Sequence, residues 1–158
     1  MSGDFFPNAK VEKSYLVNGY FEKNLGAVVT SVHSATRNTS SPIQGAGDLQ
    51  ITASGAGFTR INTLAWEKRL EGQNCELSFK YVGGGGGWTA EIWDGSLNVL
   101  VSRPLPAVTL VSPISINYPC GSTSGRTIRF VTTASAPQLN VDEIYYGIAT
   151  NIITLANQ

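Results

Sequence analysis

The sequence predicts an all-β fold, an antiparallel two-sheet β-sandwich built as one domain, and three observations carry that expectation. Helix signals are missing: no stretch of a dozen residues keeps apolar side chains at three-and-four spacing between a cap and a stop. Short runs that alternate apolar with polar residues recur instead, separated by turn residues. Only 14% of the 158 residues are charged, against 42% hydrophobic, so surface polarity falls to Ser, Thr, Asn, Gln and Gly, the residues of strands and tight turns.

An opening segment around Val11 to Phe21 reads as the first strand, followed by Leu49 to Thr52 and Thr59 to Leu64. Cys75 to Val82 has the clearest alternation, with Cys75, Leu77, Phe79 and Tyr81 toward a core and Glu76, Ser78 and Lys80 toward water. Trp88 to Trp93, the turn Asp94-Gly95 and the returning Leu97 to Val101 form a hairpin. Ile114 to Tyr118, Thr127 to Val131 and Gln138 to Tyr146 complete eight or nine strands, the number two packed sheets need. The absence of crossover helices excludes a parallel α/β fold.

Charge excludes further classes. Eleven basic and eleven acidic residues cancel, with no Lys/Arg cluster interleaved with aromatics, so nucleic acid is not an expected partner. No run approaches the length of a membrane span, so membrane insertion is not expected either, and the N-terminus lacks a basic-then-apolar leader, as a piece of a longer chain would. Cys75 and Cys120 lack the near neighbours of zinc or redox motifs; they read as two buried hydrophobes or as a disulfide, and spacing does not choose.

Tyr15-Leu16-Val17-Asn18-Gly19-Tyr20-Phe21-Glu22 near the start and Leu139-Asn140-Val141-Asp142-Glu143-Ile144 near the end form a pair. Together with Gly47 to Ile51 and Leu70 to Gln73, this pair resembles the jelly-roll carbohydrate-binding modules over nearly the whole chain. Those modules carry an Asn-Gly-x-Phe-Glu opening and an apolar-x-apolar-Asp-Asp closing strand. Two departures stand out: no Trp follows Glu22, and the second acidic residue of the last strand is Glu143. Asn117 to Gly121 and Tyr146 to Asn151 further resemble domains at the tips of trimeric surface fibres of predatory bacteria and tailed phages. The resemblance implies a homotrimeric adhesin or fibre tip at a cell or virion surface, recognising prey or host. Residues 1–9 then read as a lead-in from a fibre or linker, 10–148 as the jelly-roll binding domain and 149–158 as a C-terminal tail. It also implies a structural calcium held by Glu22 and Asp142, which hard oxygen ligands suit; no other cofactor is expected.

A sugar site needs a flat aromatic face and planar polar groups for hydroxyls. Alternation puts Trp93 beside Glu91 on the less apolar face of its strand, either as a ligand platform or as a second core anchor. Trp66 and Arg60 share a parity at a sheet rim, where Trp66 either meets ligand or caps the core edge, and Asp94 follows Trp93; these five are the expected ligand-binding residues. Trp88 reads as core. Gly83 to Gly87 lacks a phosphate-loop signature and reads as a close backbone approach, on a trimer axis or as a mobile loop. His33, the single histidine, has no nucleophile or orienting partner nearby and reads as a bystander in a polar loop. A glycan or other surface ligand bound without catalysis is the expected function, with a purely structural fibre or decoration domain, or a polysaccharide-degrading enzyme using Glu91 with Asp94 or Asp142, as alternatives.

Overall fold

The computed structural model describes residues 14, 16, 19–63, 68–94, 98–121 and 125–149. These carry eight strands, β1 (Val28–Asn38), β2 (Asp48–Asn62), β3 (Asn74–Gly83), β4 (Trp88–Asp94), β5 (Asn98–Leu105), β6 (Val108–Pro119), β7 (Thr127–Thr132) and β8 (Ala136–Ile148). All pairings are antiparallel and run in the order β5-β4-β7-β2-β8-β3-β6, with β1 along β2. The expected β-sandwich is therefore present, made by one sheet that folds over on itself.

The fold-over happens in β2. Its first half, Leu49 to Ala53, pairs with β8, and its second half, Gly57 to Asn62, pairs with β7. Leu49–Thr52 and Thr59–Leu64, read from sequence as two strands, are parts of this single fifteen-residue strand. The small stretch Ala53 to Gly57 joins them, where registers shift against both β1 and β8. A Cβ at Gly57 would lie 2.0 Å from the Ser31 carbonyl oxygen, so only glycine allows β1 to approach there.

Between the two layers, the inward positions expected of β3 form the core with Ile51, Trp88, Ile92, Phe130 and Leu139, all essentially inaccessible. Phe79 stacks edge-on against Phe130 with centroids 5.4 Å apart. Cys75 and Cys120 form a disulfide, so the expectation that the sequence left open resolves to the covalent alternative. The bond joins the second residue of β3 to the residue after β6.

Two expectations are corrected. No strand covers the described residues between 14 and 21; Leu16 and Phe21 are buried, but outside the sheet. The first strand is Val28–Asn38, whose pattern was illegible because it is an exposed edge interrupted at Val32, which protrudes with φ of 62°. His33 is not a loop bystander but sits buried in β1. Its Nδ1 is 2.9 Å from Thr59 Oγ1 and its Nε2 2.8 Å from Thr132 Oγ1, and the Thr132 hydroxyl donates to the Gly55 carbonyl. Its ring meets Trp88 edge-on at 4.9 Å. This chain of hydroxyls and imidazole satisfies polar groups where β2 changes layer.

The glycine run packs within its own chain. Gly83 to Gly86 all have positive φ, Gly84 donates to the Gln138 carbonyl at 2.9 Å, and a Cβ on Gly83 would lie 2.5 Å from that oxygen. The close approach read from sequence is thus between the β3–β4 turn and the start of β8. Trp88, leaving the run, is core as expected, and its indole donates to the Pro137 carbonyl. The lead-in 1–9 and the tail from 150 onward lie outside the described residues.

Burial holds the His33 pKa below its usual value. A basic group whose folded pKa is depressed binds fewer protons folded than unfolded, so the stability it allows is complete above pH about 6.5 and declines below it. The stability advantage of wild type over His33→Gln, from urea melts, is expected to shrink between pH 7.5 and 5; a pH-independent difference would contradict the assignment. For the disulfide, closing a loop with 45 residues of separation predicts that Cys75→Ala/Cys120→Ala unfolds more easily by roughly 2–4 kcal/mol. An unchanged urea midpoint would show that the bond does not stabilise the fold.

Candidate functional site

The outward face of the β5-β4-β7-β2 layer carries the residues with recognition chemistry. Its central row reads Arg60 on β2, Arg129 on β7, Glu91 on β4 and Ser102 on β5, all in direct cross-strand register. Phe58 and Trp93 stand on the same face, each two residues along from Arg60 and Glu91. The inward alternates, Thr59, Ile92, Ile128 and Phe130, are fully buried and fix the orientation of the face.

Trp93 is half-buried and tied down: its Nε1 donates to Glu91 Oε1 at 2.9 Å, while Ser102 Oγ donates to Glu91 Oε2 at 3.1 Å. The Arg129 guanidinium lies between two rings, 4.1 Å from the Trp93 centroid and 4.5 Å from that of Phe58. Burial, then the neighbouring Arg60 charge, hold the Arg129 pKa below its ordinary value, with Glu91 opposing. The result is a rigid aromatic and planar-polar surface, which is what the hydroxyls and apolar face of a sugar ring require.

The structure thus brings together Trp93, Glu91 and Arg60 of the residues expected from sequence. Asp94 belongs elsewhere: its carboxylate lies 3.9 Å from Arg126 Nη1, beside the Cys120 carbonyl that Arg126 also holds. Trp66 lies outside the described residues. Phe58 and Arg129 were missed, although a charged residue between Ile128 and Phe130 is a legible sign of an outward position on a buried strand. A cavity of about 700 Å³ opens elsewhere, among Leu16, Tyr20, Phe21, Leu25, Ile61 and Ile144. It holds no such pairing of aromatic ring with buried guanidinium, so the open face is the better candidate.

A second polar cluster lies where the opening segment meets β8. Arg37 donates from Nε to the Phe21 carbonyl at 2.7 Å and from Nη2 to the Glu22 carbonyl. Glu22 Oε2 accepts the Ala46 and Gly47 amides at 2.8 and 3.3 Å. Buried Asp48 accepts from Asn140, Asn38 and the Ile43 amide. Asp142 is inaccessible; its Oδ1 accepts the Glu143 amide, and its Oδ2 is buried without a hydrogen-bond partner. Burial, joined by the charges of Asp48, Glu143 and Glu22 and opposed by the Glu143 amide, raises the Asp142 pKa to about 6. An orphaned buried carboxylate oxygen is what a cation would complete. Among the described residues, however, no three His, Cys, Asp or Glu side chains converge, so backbone oxygens would have to supply most of a calcium shell.

No protein-family model matches the sequence, and no curated protein matches it either. Solved structures do. A family 61 carbohydrate-binding module in complex with β-1,4-galactotriose superposes with TM-score 0.62 at 15% identity, over 87% of this chain and 100% of that one. The first xylan-binding family 22 module of Xyn10C from Paenibacillus barcinonensis superposes with TM-score 0.59 at 16% identity, over 84% and 92%. The enzymatically active domain of tailspike protein 4 of bacteriophage CBA120 gives TM-score 0.68 at 14% identity, over 86% of this chain. This chain spans about a fifth, 21%, of that tailspike structure. The chain has the jelly-roll-like fold of carbohydrate-binding modules.

The Asp142 carboxyl has a folded pKa raised above its unfolded value, so without a bound cation its ionisation opposes folding above pH about 6, and stability recovers as pH falls toward 4. In chelator at pH 7.5, Asp142→Asn, which keeps the Oδ1 acceptor, is expected to melt at or above wild type, with the difference closing by pH 4. A variant markedly less stable at pH 7.5 in chelator would contradict this.

Proposed function

We propose that this chain is a non-catalytic recognition module that binds a glycan on the outward face of the β5-β4-β7-β2 layer. The observation that carries the reading is the half-buried Trp93, held by Glu91 and backed by Arg129, beside Arg60. Structures that share the fold, a module in complex with β-1,4-galactotriose and a xylan-binding domain, support it. Against the degrading-enzyme reading, both Glu91 oxygens are engaged by neighbours and Asp94 lies by Arg126, so this pair is not set across an open bond. Display at an extracellular or virion surface agrees with the Cys75–Cys120 disulfide, a bond of oxidising compartments.

A homotrimeric fibre tip is the assembly this reading favours, because weak sites gain avidity when three are held together. Its support is the edge strand β6, where Leu110 and Val111 are exposed. We also propose that calcium binds at Asp142 with Glu22 nearby, joining the opening segment to the last strand.

Trp93→Ala is expected to weaken glycan binding by about tenfold or more, as read on an array, while the chain still melts in one cooperative transition, at a somewhat lower temperature because the indole's bond to Glu91 and its contact with Arg129 are lost. A folded wild type that binds no glycan would instead favour the structural fibre or decoration reading. Calcium is expected to raise the wild-type melting temperature relative to chelator and to leave Asp142→Asn unmoved; equal wild-type values would remove the metal from the account.

A further inference from the structure

The charge on the outward face does not balance. Arg60 and Arg129 are direct cross-strand neighbours, an arrangement that repels unless something negative lies between or above them. Glu91, the acidic residue in their row, has one oxygen taken by the Trp93 indole and the other by Ser102. No ion pair joins either guanidinium to a carboxylate among the described residues.

Arg129 is only 7% exposed, and its Nε has no hydrogen-bond partner; the Nε of Arg60 is likewise buried and unpartnered. Burying a guanidinium with an unmade hydrogen bond is costly, and such groups are ordinarily paired. The Trp93 and Phe58 rings lie 4.1 and 4.5 Å from the Arg129 guanidinium carbon, and a guanidinium held against rings makes its hydrogen bonds through its in-plane edge. That edge is the one through which a guanidinium recognises two oxygens of a carboxylate or a tetrahedral oxyanion with two parallel hydrogen bonds.

We propose that the glycan bound here is acidic, with an oxyanion substituent of a sugar seated between Arg60 and Arg129 while the ring lies against Trp93. The inference rests on the glycan reading above and narrows it to polysaccharides bearing carboxylate or sulfate groups. Neutral sugars would leave the charges of the two facing guanidinium groups uncompensated.

The test uses the whole chain in native gels containing polysaccharide, with affinities then measured by calorimetry. One pair of probes is polygalacturonate and its carboxyl-reduced form; another is chondroitin sulfate and its desulfated form. Tighter binding to the acidic member of a pair by about tenfold or more, falling as salt rises, is expected. Which pair responds distinguishes carboxylate from sulfate. Arg60→Gln, checked for folding by its melting curve, is expected to abolish the preference, and Arg60→Lys to restore it only in part. The wild-type comparison needs no variant and decides alone if Arg60→Gln fails to fold. Equal binding within each pair overturns the acidic assignment while the glycan reading stands, and absence of binding to every probe overturns both.

Discussion

Strand β2 has to serve two layers at once, and much of the molecule follows from how it does so. One edge pairs with β8 and then with β7, while β1 runs along the other edge. A chain that changes layer breaks the regular ladder at the crossing, and buried groups there must find other partners. Ala53 to Gly57 supply small residues for the bend, and His33 with Thr59 and Thr132 supplies the hydrogen bonds. The polar cluster therefore belongs to the architecture, and the buried histidine is accounted for by the hydrogen bonds it makes at the crossing.

The same crossing positions the outward face proposed to bind ligand. Once β2 joins β7, parity places Phe58 and Arg60 outward beside Arg129, and the β4–β7 register adds Glu91 and Trp93. Each outward side chain is restrained by another: the indole by Glu91, Glu91 by Ser102, and the Arg129 guanidinium by two rings. Such mutual restraint would lower the ordering cost of the proposed binding.

Much of the fold was legible because alternation is a local signal. Cys75 to Tyr81 needed no partner to show which residues face inward, and Ala90 and Ile92 revealed by contrast that Glu91 and Trp93 face outward. β1 was not legible, because an edge strand exposed along most of its length and broken at Val32 carries no alternation. The Cys75–Cys120 bond and the burial of His33 depend on which strands become neighbours, and no local pattern contains that. Within the site, Trp93, Glu91 and Arg60 were readable from residue type and parity. Arg129 was equally readable as an outward position between Ile128 and Phe130, but no aromatic or carboxylate beside it in sequence marks it as part of a site, and Asp94 was misplaced because nothing near it in sequence points to Arg126.

The central claim is that ligand meets the Trp93 face. The most direct measurement follows the indole N–H resonances by NMR during titration with an oligosaccharide from a bound polysaccharide. Trp93 and the Arg129 side-chain signals are predicted to shift saturably, while Trp88, sealed in the core, stays fixed. Binding that leaves Trp93 unmoved and shifts residues around the Tyr20–Leu25 cavity would contradict the account.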